Sequence, residues 1–428
     1  MSNDAVQTVR FDPREEGFNL FAPGLMDDPY PYYRALRDLD PVHHNPDIDY
    51  WFLSRYDDVA ELGRDRTRLI RGSTLTALVQ EYQGTAVHRL LGKNLFGLDE
   101  PDHGRLKGLI VSTFSRRRID ALRPRIEQIC AELLDGAKLG PGGGTFALIP
   151  QLAYPLPFLV ICELLGLPAG DRDPFLRWLR DLLPMIDPFP TPEAVSRAMR
   201  GATPFEEYLV GVIEERRRCL AAGRAMPPGL LSDLVRTAAQ GDTLITDAEL
   251  ICLVFTVIGA GFENVTNLIG NAVRALAEHP DQARALRADP GLLANLPDEV
   301  LRYYTTTQYN ARQAAVDVEV RGTTIPRGAI VVLLRGSANR DGRRFSEPDT
   351  FDLRRPDSAQ HVGFGEGATF CTGAMLTRIE VQVAFAALLD RIGEFRITRW
   401  EQSPTRLFWG PAAVEVEYDP AESPTNVL

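Results

Sequence analysis

The chain has 428 residues and a formal net charge of −11 at pH 7, which excludes a nucleic-acid binder driven by global positive charge. Hydrophobic residues make up 44% and charged residues 25%, the composition of a soluble globular protein with a large core, not of a disordered or fibrous chain. Length alone would allow about three domains, but no linker divides the chain, and one domain over residues 1–428 is expected.

The first twenty residues lack a basic start and an apolar stretch of signal-peptide length, so no secretion signal is expected. From Asp27 to Leu39 apolar and aromatic residues fall at helical spacing, and YWFLSRYDDVAEL reads as a strand followed by a helix. Leu69 to Gly97 has no sustained period and reads as irregular structure or short helices. The glycine cluster at 140–144 lacks the Lys-Ser/Thr pair of a phosphate loop, so a turn leading into a strand is expected.

Phe205, Tyr208, Leu209, Val212 and Ile213 form the apolar face of a helix predicted over Phe205–Ala222. A longer helix is predicted from Thr246 to about His279. Its apolar run, Ile251 to Ala260, is too short to cross a bilayer and reads as buried. After Val316 short strands follow, then a helix over GAMLTRIEVQVAFAALL. The fold class is mostly α with a smaller β portion towards the C-terminus, an α+β domain. Cys130, Cys162, Cys219, Cys252 and Cys371 are an odd number and widely spaced, which fits neither a zinc knuckle nor a disulfide framework and points to a reducing cytoplasm.

One segment carries specific chemistry. In HVGFGEGATFCTGAMLTRIE, Phe364, Gly365, Gly367, Cys371 and Gly373 fit F-G-x-G-x-x-x-C-x-G. Glycines around a cysteine let backbone N–H groups approach the sulfur, and such donors stabilise a thiolate and tune a bound metal. A helix starting just after Cys371 would add its positive end. These residues resemble the cytochrome P450 family of haem-thiolate monooxygenases, in particular its soluble bacterial members, and the resemblance spans almost the whole chain. It implies that haem lies between the long central helix and the cysteine loop, with Cys371 as the proximal ligand of iron.

The resemblance extends to Ala260-Gly261-Phe262-Glu263-Asn264, where the family has A-G-x-[D/E]-T. A mid-helix glycine costs about 1 kcal/mol relative to alanine, so Gly261 suggests something bulky against the backbone, such as a flat cofactor. Glu263 is implied as the acid feeding protons to the distal site. Asn264 replaces the usual threonine; an amide hydrogen-bonds but has no hydroxyl to relay a proton. Thr266, two positions on, should point elsewhere. Glu299 and Arg302 match the family's structural E-x-x-R pair; taken alone, such a pair is an exposed ion pair worth a few tenths of a kcal/mol, roughly.

His103 and Lys107, one turn apart, and Arg312 are implied to hold the haem propionates. Thr369 stands where relatives place His or Arg. His43 and His44 read as a turn or strand entry, Asn339-Arg340-Asp341 as structural, and Arg116, Arg117 and Arg118 as a docking patch for an acidic ferredoxin. The implied cofactor is haem b (iron protoporphyrin IX). The implied partners are a small-molecule substrate, dioxygen, and ferredoxin with ferredoxin reductase, with no nucleic acid and no membrane. Substrate contacts are expected from Leu69–Gly97, Pro184–Pro204, the Ala260 helix, Thr305–Tyr309 and Leu407–Gly410. The expected reaction is hydroxylation or epoxidation of a mid-sized apolar metabolite. The alternatives are coupling, dehydrogenation or rearrangement without oxygen insertion, which Asn264 would mark, and a non-catalytic haem-binding module.

Overall fold

The computed structural model describes residues 11–71, 79–139, 142–168, 172–187, 190–241 and 244–421. The first ten residues, where no secretion signal is expected, 72–78 within Leu69–Gly97, 140 and 141 of the glycine cluster, and 188 and 189 within Pro184–Pro204 lie outside the described residues.

The molecule is organised around a helix of 32 residues, Asp247–Glu278. Its start is fixed reciprocally: Thr246 Oγ1 accepts from the Glu249 amide at 3.3 Å, and the Glu249 carboxylate accepts from the Thr246 amide at 2.9 Å. His279 ends it and Pro280 opens the next helix, Pro280–Ala288. By length and composition this central helix could cross a membrane, but 67% of its most apolar window is buried inside the fold, as expected of a core helix. It packs against the helices Ala86–Leu91, Pro155–Leu165, Leu296–Tyr303 and Ala374–Leu389.

The other predicted helices form at Tyr30–Leu39, Tyr56–Arg64 and Ala374–Leu389. The helix expected from Phe205 begins earlier, at Pro192, and runs through Pro204 to Ala221. Its first half buries Ala194, Ala198, Gly201 and Ala202, which carry no large apolar side chain to show a period. Leu69–Gly97 holds a short strand, Leu69–Ile70, and a short helix, Ala86–Leu91.

The β structure is less confined to the C-terminal part than expected. Strands β1 (Val42–Asn45), β2 (Tyr50–Leu53), β3 (Leu69–Ile70), β5 (Asn310–Ala314) and β8 (Ile330–Leu333) form one sheet in the order β1-β2-β8-β5-β3. Its β2–β8 pairing is parallel and joins segments far apart in the chain. β4 (Gly144–Ala147) leaves the glycine turn, where Gly143 has φ +78°, and pairs with β10 (Pro411–Pro420), which in turn pairs with β9 (Ile392–Gln402). β6 (Val318–Val320) and β7 (Thr323–Ile325) make a hairpin. His43 and His44 lie on β1, where His43 bonds Asp40 at 2.8 Å and accepts from the Phe18 amide, and His44 stacks on Trp51.

The Glu299–Arg302 pair is not the exposed contact that its spacing alone allows. Both side chains are fully buried, and the guanidinium forks onto the carboxylate at 2.8 and 2.9 Å. Arg355 adds a second guanidinium at 3.3 Å. The remaining donors of both arginines reach the carbonyls of Ser346, Glu347, Pro348 and Thr350. Removing one member of such a network strands buried charge, which costs about 3–5 kcal/mol. Glu299→Ala is therefore expected to lower the thermal unfolding midpoint steeply and the yield of soluble protein with it. Differential scanning calorimetry beside the exposed-pair control Arg399→Ala, expected to change little, checks this.

Candidate functional site

A deep cavity lies between the middle of the central helix and the loop that carries Cys371. Its wall brings together Ala260, Gly261, Asn264, His103, Lys107, Arg312, Phe364, Cys371 and Gly373 from separate elements. Gly365, Gly367 and Glu263 are not on that wall. The two glycines act on the loop instead. Gly365 has φ +80° and Gly367 φ +55°, and a Cβ would meet Thr369 O at 3.1 Å in the first case and Arg64 Cγ at 3.2 Å in the second.

The loop closes when the Cys371 amide donates to Phe364 O at 2.8 Å. Of the three glycines, Gly373 is the one whose N–H bonds the sulfur, and the helix Ala374–Leu389 starts next to it. Burial pushes the Cys371 thiol up, while the Gly373 amide and the charges of Lys107, Arg378 and Arg335 pull it back. The guanidinium of Arg378 also lies 4.7 Å from the centre of the Phe364 ring.

The same wall concentrates positive charge. Arg71, Lys107, Arg312 and Arg335 all reach it, beside the imidazole of His103. Burial, then Arg71 and Arg335, hold Arg312 well below the ordinary arginine range. Burial, then Arg71, Arg66 and Lys107, push His103 down to about 4. Arg71 Nε, His103 Nδ1, Arg312 Nη2 and Arg335 Nε are buried without a hydrogen-bond partner. Glu366 answers Arg335 at 3.1 Å. Stranded donors and mutual repulsion in one wall call for anionic acceptors, and the two propionates of a haem set over Cys371 would supply them. The residues present therefore fit the implied cofactor.

Two details differ from the expected propionate set. Lys107 Nζ donates to Ala368 O at 2.7 Å and Phe370 O at 2.9 Å, so here it clamps the cysteine loop. Thr369 uses its hydroxyl on Glu366 O. The charge missing at 369 is made up by Arg71, beside β3, and Arg335, in a single helical turn. No motif surrounds either arginine; β5 pairs with both β3 and β8, and the two arginines follow those outer strands.

On the opposite wall, Gly261 is explained differently from expectation. A Cβ there would run into Ile161, whose Cγ1 would be 2.8 Å away, so the bulk against the backbone is a side chain of the helix Pro155–Leu165. Asn264 Oδ1 accepts from Thr307 Oγ1 at 2.9 Å, a bond to a neighbouring segment and not to its own helix. Thr266 turns back onto Phe262 O at 3.1 Å and is buried. Glu263 faces Tyr154, Asn267 and Arg180, and burial raises its carboxyl to about 6 against the pull of the Asn267 amide and Arg180. Glu380, absent from the sequence reading, lies on the cavity wall with its carboxyl held well above its ordinary range by burial.

Of the segments expected to meet substrate, Leu95, Phe96, Ile186, Thr306, Thr307, Tyr309, Leu407 and Phe408 reach the cavity. Tyr309 donates to Asp187 at 2.9 Å. Ile186 is the one described residue of Pro184–Pro204 on that wall.

His103 gives a pH signature. Its folded-state value of about 4 lies below its ordinary 6.5, so the stabilisation from keeping it neutral is complete above 6.5 and is lost as pH falls through about 4. The cofactor-free protein is expected to melt progressively earlier on acidification across that window. His103→Gln is expected to flatten this limb and to speed haem loss from the reconstituted protein, followed by transfer to apomyoglobin.

The family model described as Cytochrome P450 matches residues 49–290 and 292–405. Cytochrome P450 107B1 of Saccharopolyspora erythraea is 38% identical over 371 residues, covering 85% of this chain and 86% of the relative. The 6-deoxyerythronolide B hydroxylase of the same organism is 34% identical over 374 residues, covering 85% and 88%. The solved structure of CalO2 aligns with a TM-score of 0.86 at 32% identity, over 94% of this chain and 99% of that one. Because the matched model takes in the central helix and the cysteine loop together, and these relatives cover most of the chain, the chain belongs to the cytochrome P450 family of haem-thiolate monooxygenases.

Proposed function

We propose that this P450 is a cytoplasmic haem b enzyme that hydroxylates or epoxidises a mid-sized apolar metabolite of natural-product biosynthesis, with electrons from a ferredoxin and its reductase. The observation that carries this reading is a single cavity with a cysteine in one wall, stranded buried cations around it, and apolar side chains opposite. Bound haem supplies the activation of dioxygen; the chain supplies everything that directs it. We take residues 1–428 as one domain, since one cluster of buried side chains runs from Phe18 to Tyr418.

In this reading Cys371 ligates the iron, and the Gly373 amide and the helix start behind it stabilise the sulfur's negative charge. Arg71, His103, Arg312 and Arg335 hold the propionates. Ile161, Ile186, Val257, Leu407 and Phe408 exclude water and orient an apolar substrate, with the hydroxyls of Thr307 and Tyr309 as polar marks. The relative named 6-deoxyerythronolide B hydroxylase is a hydroxylase by that name, which supports hydroxylation as the reaction here. The partner surface is Arg116, Arg117 and Arg118. They are exposed and begin two residues after Phe114, which packs 3.9 Å from the Cβ position of Gly373.

Reconstitution with a surrogate ferredoxin and reductase under labelled dioxygen, with candidate metabolites chosen by their shift of the haem spectrum, tests the reading. One labelled oxygen in the product is the expected result, and Cys371→Ser is expected to abolish turnover. Product without label would favour coupling, dehydrogenation or rearrangement, the reading that Asn264 in place of threonine supports.

Glu263 holds a proton on its carboxyl below about pH 6. As pH rises through that value the proton is lost, so turnover is expected to fall on that limb. Glu263→Gln is expected to lower kcat by roughly 10²-fold, the scale of a lost general acid, and to erase the limb. A kcat profile from pH 5 to 8, in which roughly three units bracket the group, checks both.

A further inference from the structure

Asn264, Asn267 and Asn271 fall at i, i+3 and i+7 of the central helix and so share one face of it. That face meets residues 304–309 and 407–410. Asn271 Nδ2 donates to Trp409 O at 3.1 Å and Tyr304 O at 3.4 Å. Asn267 packs so closely on Gly410 that a Cβ there would lie 2.6 Å from the Asn267 Cβ. Asn264 Oδ1 accepts from Thr307 Oγ1 at 2.9 Å. Of the three asparagines, Asn264 alone borders the cavity.

The Thr307 hydroxyl is itself held in place. The Gln308 amide donates to Leu407 O at 3.0 Å and the Trp409 amide to Thr306 O at 2.6 Å, so Thr307 pairs with Phe408 in an antiparallel bridge. Thr305, Thr306 and Gln308 are buried, and Asn339 anchors Thr305 Oγ1 at 2.8 Å. An amide has its acceptor oxygen on one side and two donor hydrogens on the other. Engaging the oxygen therefore decides which way the hydrogens face.

We propose that Thr307 is a positioning residue whose hydroxyl holds the Asn264 carbonyl oxygen and thereby turns the Asn264 N–H2 towards the cavity. The chain then presents a fixed hydrogen-bond donor to an acceptor atom of a small ligand there, at the position where the family has a hydroxyl that both donates and accepts. The proposal rests on the reading that haem is carried by Cys371 beneath this wall.

The test uses the reduced holoenzyme with carbon monoxide as the probe, since a donor near the ligand lowers its C–O stretching frequency. Native protein, Thr307→Val, Thr307→Ser, Asn264→Leu and the Asn264→Leu/Thr307→Val double variant are compared by infrared spectroscopy. A higher and broader band in Thr307→Val, a native band in Thr307→Ser, and no added shift in the double variant over Asn264→Leu are expected. An unmoved band in Thr307→Val overturns the positioning role, as does a Thr307→Ser band displaced as far as that of Thr307→Val. A shift to lower frequency means that the carbonyl faces the cavity, and a further shift in the double variant means that the hydroxyl acts directly; both overturn the proposal. The visible spectrum of the same samples keeps the two readings apart. If native protein lacks the long-wavelength carbon monoxide band of thiolate-ligated haem, the cofactor reading fails and the proposal with it; if the band is present and the stretch is unmoved, the positioning role fails alone.

Discussion

Glu299 carries a negative charge with no exposed surface, shared between Arg302 and Arg355, and much of the architecture around the cavity is anchored to that charge. Desolvating three ionised groups is favourable only because their other donors reach backbone carbonyls of residues 346–350, so the network also sets the course of that loop. From the end of the Glu299 helix the order passes to Thr305, bonded to Leu301 O and to Asn339. Asn339 Oδ1 accepts from the Val362 amide at 2.8 Å. One asparagine therefore ties the segment leading to Thr307 to the segment leading to Cys371, and the two walls of the cavity share a foundation.

The cavity inverts this economy of charge. Around Glu299 every charge is answered, whereas around Cys371 several cations are buried with donors unanswered. A bound group that meets those donors stabilises the folded chain by mass action as well as equipping it for chemistry. Lys107 shows how the cysteine loop is held meanwhile, because its ammonium caps the Ala368 and Phe370 carbonyls on either side of Thr369.

What the sequence could reveal followed from what each feature depends on. The central helix and the cysteine loop are local patterns, and they fold where their residues predict. Arg71 and Arg335 join the site only because β3 pairs with β5 and a single turn follows β8, so no local pattern marks them. Gly261 was legible as a close approach but not as an approach by Ile161, since the partner comes from another helix. The Asn264 departure was visible at once, while its bond to Thr307 depends on a crossing of two distant segments. The start of the Pro192 helix escaped notice because small side chains bury without leaving an apolar rhythm.

The stretch Leu407–Gly410 is divided between two tasks. Trp409 is anchored at both ends, its indole N–H on Met26 O at 2.7 Å and its carbonyl on Asn271, and Gly410 sits against Asn267. Leu407 and Phe408, just before those anchors, reach the cavity. Their backbone is held by the bridge to Thr307 and by the anchors that follow, so side-chain volume there can drift without disturbing the scaffold. That arrangement gives the lineage a place where selectivity for new molecules can evolve at little structural risk.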